Sequence, residues 1–469
     1  MTLINENFLL TTTKAKELYQ AVKDIPIYDF HCHLSPQEIY EDKNYATITD
    51  LWLGHDHYKW RLMRAYGIDE ALITGDGDSF EKFKAFIGML PKAIMNPMYH
   101  WCYLELARYF NHYEGVQHSD AGELYQKLNE KLGQPDMSPR SILRKSNVQV
   151  ICTTDDPCDD LYYHQQLAAD KSFDIEVRPT FRPDFYVSLK QETIETAIQK
   201  LQTATGSEIN SLSDYIGALE NRVDYFNKHG AKSADQSFAQ VVLTGLSEEA
   251  AAAYFTNLKN GKALDNRETR ELAGWLLSRL AKSYKKYGWV MQLHLGPLRN
   301  NNSLQYEKIG ADAGFDSLGN SLNAKELNQL LDYLHQKDCL TNTIIYPHNA
   351  NDHSMVQAAA GNFTSKDVKV QLGAAWWYND TKDGMFQHLI DYANISLLSE
   401  FAGMLTDSRS LLSYSRHEYF RRILCQLIGS LVEKGEIEDD SVLLEGILKD
   451  ICFNNAARLF KVENIKEVY

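Results

Sequence analysis

Side chains that bind metals or anions recur at the ends of short apolar runs. His31 and His33 stand one residue apart in "YDFHCHL", His294 closes "VMQLHLG", and Asp407 and Arg409 lie close together in "GMLTDSRS". In a strand, residues i and i+2 share a face, so His31 and His33 would present two imidazoles side by side while Cys32 points away. Two imidazoles, a third from another strand and a carboxylate make an N/O donor set for one divalent ion, Zn²⁺ first, with Mn²⁺, Fe²⁺ or Co²⁺ as alternatives. Taken singly, each has a plainer reading. An isolated His-x-His is more often an ordinary strand-end pair, His294 alone reads equally as a satisfied histidine, and an N-cap for the following helix is the lesser reading of Asp407. Their joint placement favours the metal.

Arg182, in "RPTFRPD", and Arg409 add fixed positive charge and forked donors, which beside such a site suit an anionic ligand. The alternative is local ion pairing, Arg182 with Asp184 and Arg409 with Asp407. The stretch "HDHYKWRLMR", residues 55–64, reads as a helix with His57, Arg61 and Arg64 on one face. That face is either solvated or part of a lid that brings His57 and Tyr58 over the site. Trp376 and Trp377 end another apolar run, "VKVQLGAAWW".

Eight segments of this kind are expected to position these residues: 25–33, 148–156, 176–184, 231–237, 289–296, 343–349, 368–377 and 401–410. Continuous apolar runs alternating with helical periodicity suit parallel strands buried on both faces. Eight of them point to a (β/α)8 TIM barrel, with an open doubly wound sheet as the competitor. The fourth, "AKSADQS", is placed largely by counting. In a barrel the singled-out residues would gather at the strands' C-terminal ends, where active sites lie. Helices are expected at 190–202, 212–227, 266–287 and 324–336, and closing helices at 416–434 and 441–459. Residues 36–145 exceed any single crossover and read as a mostly helical insertion at the barrel mouth, with helices at 80–87, 99–109 and 121–132. With no repeat or linker, residues 1–469 are expected to form a single barrel domain.

The chain has 469 residues, 44% hydrophobic and 24% charged, with a net charge of −15. That charge disfavours nucleic acid and anionic membrane surfaces as partners. Seven scattered cysteines without a Cys-x-x-Cys pair indicate neither a disulfide framework nor a thiolate zinc site. With no signal-like N-terminus and no long apolar run, a cytoplasmic location is expected. The size and helical exterior point to a homo-oligomer.

Together "FHCHL", "GHDHYKWRLMR", "RPTFRPD", "QLHLGPLRN", "GAAWWYNDTKDGM" and "GMLTDSRSLLSYSRHEYFRRIL" closely resemble the uronate (glucuronate) isomerases of the amidohydrolase superfamily, from about residue 25 onward. The resemblance implies a small-molecule hexuronate as partner and a 1,2-aldose–ketose isomerisation, D-glucuronate to D-fructuronate and D-galacturonate to D-tagaturonate. It implies metal ligands at His31, His33 and Asp407, with His294 beside the metal, and substrate contacts from His57, Arg182, Trp376 and Arg409. Asp407 is then the candidate base, with Tyr58 or His57 shuttling a hydroxyl proton, and Arg409 counted with them as catalytic. Intramolecular hydride transfer stays open as an alternative.

Two departures stand out. The fourth segment has Lys232 at its beginning rather than a lysine at its end, which argues for one metal rather than two. "YPHNAND" carries His348 where the family has an apolar residue followed by Asn-Pro, so His348 reads as a spectator. A metal-dependent hydrolase on the same barrel is the nearest rival, and a binding protein with a decayed site a more distant one.

Overall fold

In the computed structural model, which describes residues 2–463 and 465–468, the parallel strands come in two sheets. β1 (Ile27–Asp29), β2 (Val148–Cys152) and β3 (Glu176–Arg178) form the first, in that order. β4 (Ser233–Phe238), β5 (Val290–Leu295), β8 (Thr343–Pro347) and β9 (Val370–Leu372) form the second. Bridges from Phe181 to Asp155 and to Ala234 join them through the end of β3. The segment 401–410 runs beside β1, where the Asp407 N–H donates to the His31 carbonyl at 3.2 Å and the His33 N–H to the Ser408 carbonyl at 3.0 Å. On its other side the Ala402 N–H donates to Gln371 Oε1, in β9, at 2.9 Å. The ring so formed is an α/β barrel.

β1, β2, β5, β8 and β9 are mostly apolar because they are covered on both faces. β5 is buried throughout, and β8 likewise. Helices Asn266–Tyr287, Ala324–Gln336 and Ile194–Thr205 pack apolar stripes on the outside, including Leu276, Leu280 and Tyr284 from the first. Between β1 and β2 there are helices and no ladder strand among the described residues. Pro97–Phe110 buries the most side chains of these, Trp101 and Leu104 among them.

Three elements differ from the sequence reading. The segment 401–410 is tied to β1 without forming a regular strand. Asp29, buried, accepts the Thr406 N–H at 2.9 Å and its hydroxyl at 2.6 Å, replacing ladder bonds with side-chain bonds. Gly403 at φ +97° and Asp407 at φ +45° break the extended geometry, and a Cβ on Gly403 would collide with the Ile451 carbonyl. The helix expected at 441–459 is Ser441–Lys449 followed by a π turn, Asp450–Asn454, and a short helix, Asn455–Phe460. The turn swings Asn455 toward 401–410, where its amide donates to the Ser399 and Phe401 carbonyls. Last, the β5-to-β8 crossover carries a small ribbon of β6 (Pro297–Leu298) and β7 (Ser317–Leu318) that borders the site.

Candidate active site

His31 lies two residues past the end of β1, buried, its ring 4.8 Å from that of His294 between centroids. His33 lies two residues on, and Thr154 Oγ1 sits 2.7 Å from its Nδ1. Both imidazoles turn Nε2 toward one oxygen, Asp407 Oδ1, at 3.2 Å and 3.0 Å. The left-handed backbone at Asp407 is unusual for a residue other than glycine, and it aims the carboxylate inward instead of along the segment. Burial works against that charge, yet the hydrogen bonds to His31 and His33 hold the carboxyl well below the usual range. Burial also brings His33 down to about 4, favouring the neutral, ligating form.

These contacts fit a divalent ion. Ligand atoms at ~2.0–2.1 Å around a tetrahedral zinc lie about 3.3 Å from one another, close to the spacings here. The donor atoms of His31, His33 and Asp407 all lie within 4.8 Å of one another, and so do those of His31, Asp235 and His294.

His294 adds a third imidazole from β5. Its Nδ1 is 2.6 Å from Asp235 Oδ1, while its buried Nε2 finds no hydrogen-bond partner among the described residues. A carboxylate on Nδ1–H fixes the tautomer and leaves the Nε2 lone pair for the cavity. The ring stacks on Tyr346 at 4.4 Å, and Trp376 meets its edge at 4.6 Å. Tyr346 donates to Gln292 Oε1, and Gln292 donates to the Phe30 carbonyl, which couples the plane of His294 to the strand bearing His31.

The arginines pair differently from the simplest expectation. Arg182 meets Asp184 at 3.2 Å, but also Asp235 Oδ2 at 3.0 Å. Asp235 is thus held from two sides, by Arg182 and by His294, and its carboxyl lies below the usual range in spite of burial. Arg409 pairs with Asp312 at 3.0 Å rather than with Asp407, and Arg299 approaches the other oxygen of Asp312 at 3.7 Å.

The 55–64 stretch becomes helix His57–Ala65, capped by Asp56, which accepts from the Tyr58 and Lys59 N–H groups. Its Arg61, though exposed, and its half-buried Arg64 are both tied to backbone carbonyls. Arg61 donates to the Gly314 and Asp316 carbonyls, and Arg64 to the Ala313 carbonyl and Glu70. The helix is therefore strapped to the loop bearing Asp312, and it places His57 against Trp377 at 5.2 Å with Tyr58 stacked beneath at 5.1 Å.

Nine of the residues singled out from the sequence, His31, His33, His57, Tyr58, Arg182, His294, Trp376, Asp407 and Arg409, border one cavity of about 330 Å³. Thr154, Arg299, Asp312 and Trp377 complete its wall. The Trp376 indole donates to Asp407 Oδ2 at 2.7 Å, so both carboxylate oxygens are fixed. His348 stays outside the lining, fully buried, its ring 5.0 Å from each of Trp376 and Trp377. Neither of its nitrogens has a partner among the described residues. Asn349 caps the turn Ala350–Asp352 and donates to the Gly319 carbonyl. The sequence reading missed Asp235, whose signal was a carboxylate inside the one polar strand. It also missed Arg299 and Asp312, which sit in a crossover that shows no periodicity.

A family model described as glucuronate isomerase matches residues 1–460. The chain belongs to the glucuronate isomerase family. A uronate isomerase of Caldanaerobacter subterraneus subsp. tengcongensis is 46% identical over 456 residues, 97% of this chain and 98% of that one. The uronate isomerase of Oceanobacillus iheyensis is 44% identical over 460 residues, with 97% and 98% covered. The crystal structure of a uronate isomerase from Thermotoga maritima superposes at a TM-score of 0.91, with 32% identity over 98% of this chain and 100% of that one. A glucuronate isomerase from Caulobacter crescentus reaches the same TM-score at 23% identity, which speaks for the fold alone. The strings "FHCHL" and "GMLTDSRS" supply His31, His33, Asp407 and Arg409 to the cavity lining.

Proposed function

We propose that the protein interconverts aldouronates and ketouronates, D-glucuronate with D-fructuronate and D-galacturonate with D-tagaturonate, by 1,2-proton transfer through a cis-enediolate. The observation that carries this reading is the convergence of His31 and His33 on Asp407 in a cavity that also holds Arg182 and Arg409. His31, His33 and Asp407, with His294 beside them, would hold one divalent ion, Zn²⁺ first. When bound, the ion supplies Lewis-acid polarisation of the C1 carbonyl.

The remaining steps fall to the chain's own residues. Arg182 and Arg409 give the uronate carboxylate and sugar oxygens forked donors. Their present partners, Asp235 and Asp312, are carboxylates, which supports carboxylate recognition by these guanidinium groups. Asp407 takes the proton from C2, the C–H electron pair becomes the C1=C2 bond as the C1=O π pair moves onto O1, and the same carboxyl returns the proton to C1. Trp376 fixes the carboxylate during both transfers, and Trp377 and His57 shape the opposite wall. Neutral His57, whose pKa burial lowers, and Tyr58 are placed to handle hydroxyl protons. The helices of residues 36–145 would roof a single barrel domain. No helix among the described residues is long and apolar enough to cross a membrane.

The test is turnover of D-glucuronate in deuterated water. A ketouronate carrying solvent deuterium at C1 supports proton transfer by Asp407. Full retention of the C2 hydrogen at C1 is common to hydride transfer and to an Asp407 that returns its proton faster than it exchanges, so solvent incorporation is the decisive outcome, and no ketouronate from either sugar overturns the reading.

A further inference from the structure

We propose that Asp380 is a positioning residue that acts through Tyr58, taking up and returning the hydroxyl proton that must travel from O2 to O1 of the sugar. The inference rests on the isomerase reading above and adds a residue that lies outside the cavity wall.

Tyr58 borders the cavity and its hydroxyl donates to Asp380 Oδ2 at 3.0 Å. With its own proton committed to a carboxylate, the phenol oxygen faces substrate as an acceptor. Asp380 is 8% exposed, and its Oδ1 is buried without a hydrogen-bond partner among the described residues. A buried carboxylate with an idle oxygen is costly unless something uses it.

The turn that presents Asp380 is rigid. The Asn379 N–H donates to the Trp376 carbonyl and the Asn379 amide to the His348 carbonyl. Gly384 packs so closely on the Asn379 carbonyl that a Cβ would collide with it. The groups that bear on Asp380 are Tyr58 from helix His57–Ala65, Arg416 and Tyr419 from helix Ser415–Glu433, and the charge of Asp407. Burial raises its carboxyl to about 6, with Arg416 and the Tyr58 hydrogen bond pulling the other way. A group so poised both accepts and releases a proton near neutrality.

The step balances without an added reactant. After Asp407 has removed the C2 proton, the O2–H proton passes to Tyr58 while the Tyr58 proton passes to Asp380. The O2–H electron pair becomes C2=O2, and the C1=C2 pair takes the proton from Asp407 to form C1–H. The proton on Asp380 then returns to Tyr58, which gives its own to O1. Tyr58 reaches both oxygens because they lie on the same side of a cis-enediolate.

Asp380→Asn separates this role from a structural one, since an asparagine oxygen still accepts the Tyr58 hydrogen bond but takes no proton. The expected result on metal-loaded enzyme is a kcat loss of about 100-fold or more with KM and bound metal unchanged. Tyr58→Phe should lose as much, the double variant little more, and Asp380→Glu should recover part of the rate. Retention of kcat by Asp380→Asn overturns the proposal, as does full activity of Tyr58→Phe should the first variant fail to fold. A wild-type protein inactive on both uronates overturns the isomerase reading, and this inference with it.

Discussion

Asp407 and His31 meet twice: the Asp407 N–H donates to the His31 carbonyl at 3.2 Å, and the Asp407 carboxylate returns to within 3.2 Å of His31 Nε2. The backbone contact closes the barrel and the side-chain contact builds the site, so one residue pair ties architecture to chemistry. Only the second depends on the carboxylate charge.

Asp407→Asn should therefore leave the fold intact while lowering kcat by about a thousandfold or more, because the proton acceptor is gone. Circular dichroism and the melting temperature check the first half and the uronate assay the second. Substantial activity in this variant would remove Asp407 as the base.

The helix bearing His57 and Tyr58 is anchored by a buried ion pair, Lys59 with Asp56 at 2.9 Å. Asp56→Asn keeps the helix cap but strands a buried ammonium, which should cost about 3 kcal/mol. Replacing Lys59 by Met in the same protein should restore much of that. Denaturant midpoints of the single and double variants measure both.

The same pair sets an acid limit. Although burial opposes it, Lys59 holds the Asp56 carboxyl at about 2, below the ~3.9 of an unfolded aspartate. Its stabilisation is complete above pH ~4 and is lost as the pH falls through 2, worth about 2 kcal/mol in all. Acid unfolding of wild type and Asp56→Asn should converge at the low end of that range.

Asp380 predicts an opposite kind of limb, in rate. Because its carboxyl, raised by burial to about 6, must be ionised to take the Tyr58 proton, kcat should fall as the pH drops below about 6. Asp380→Asn should lack that limb while keeping whatever others the wild type shows.

His348→Leu should change kcat less than about threefold and leave the melting temperature equal or higher. Its buried nitrogens have no partner to lose among the described residues, and an apolar side chain avoids their desolvation.

What could be seen in the sequence follows from what each element is made of. β1, β5 and β8 show as apolar runs because both faces are covered, and helix Asn266–Tyr287 shows through its periodic leucines. β4 is faint for a physical reason. Asp235 serves His294 and Arg182, and Gln236 donates to the Tyr284 hydroxyl, so the buried strand is polar because these side chains bond across the barrel. The irregular 401–410 segment was legible as chemistry, through Asp407 and Arg409, but not as geometry, since side-chain bonds from Asp29 replace the ladder. The pairing of Arg409 with Asp312 spans 97 residues and leaves no local pattern.

The measurement closest to the central claim is turnover of D-glucuronate and D-galacturonate by purified protein before chelation, after it, and after Zn²⁺ or Mn²⁺ is added back, with bound metal quantified at each stage and His33→Ala carried alongside. The account predicts ketouronate formation that is lost with the metal, restored by add-back, and neither metal retention nor turnover in His33→Ala. Undiminished turnover in fully metal-free protein would contradict it.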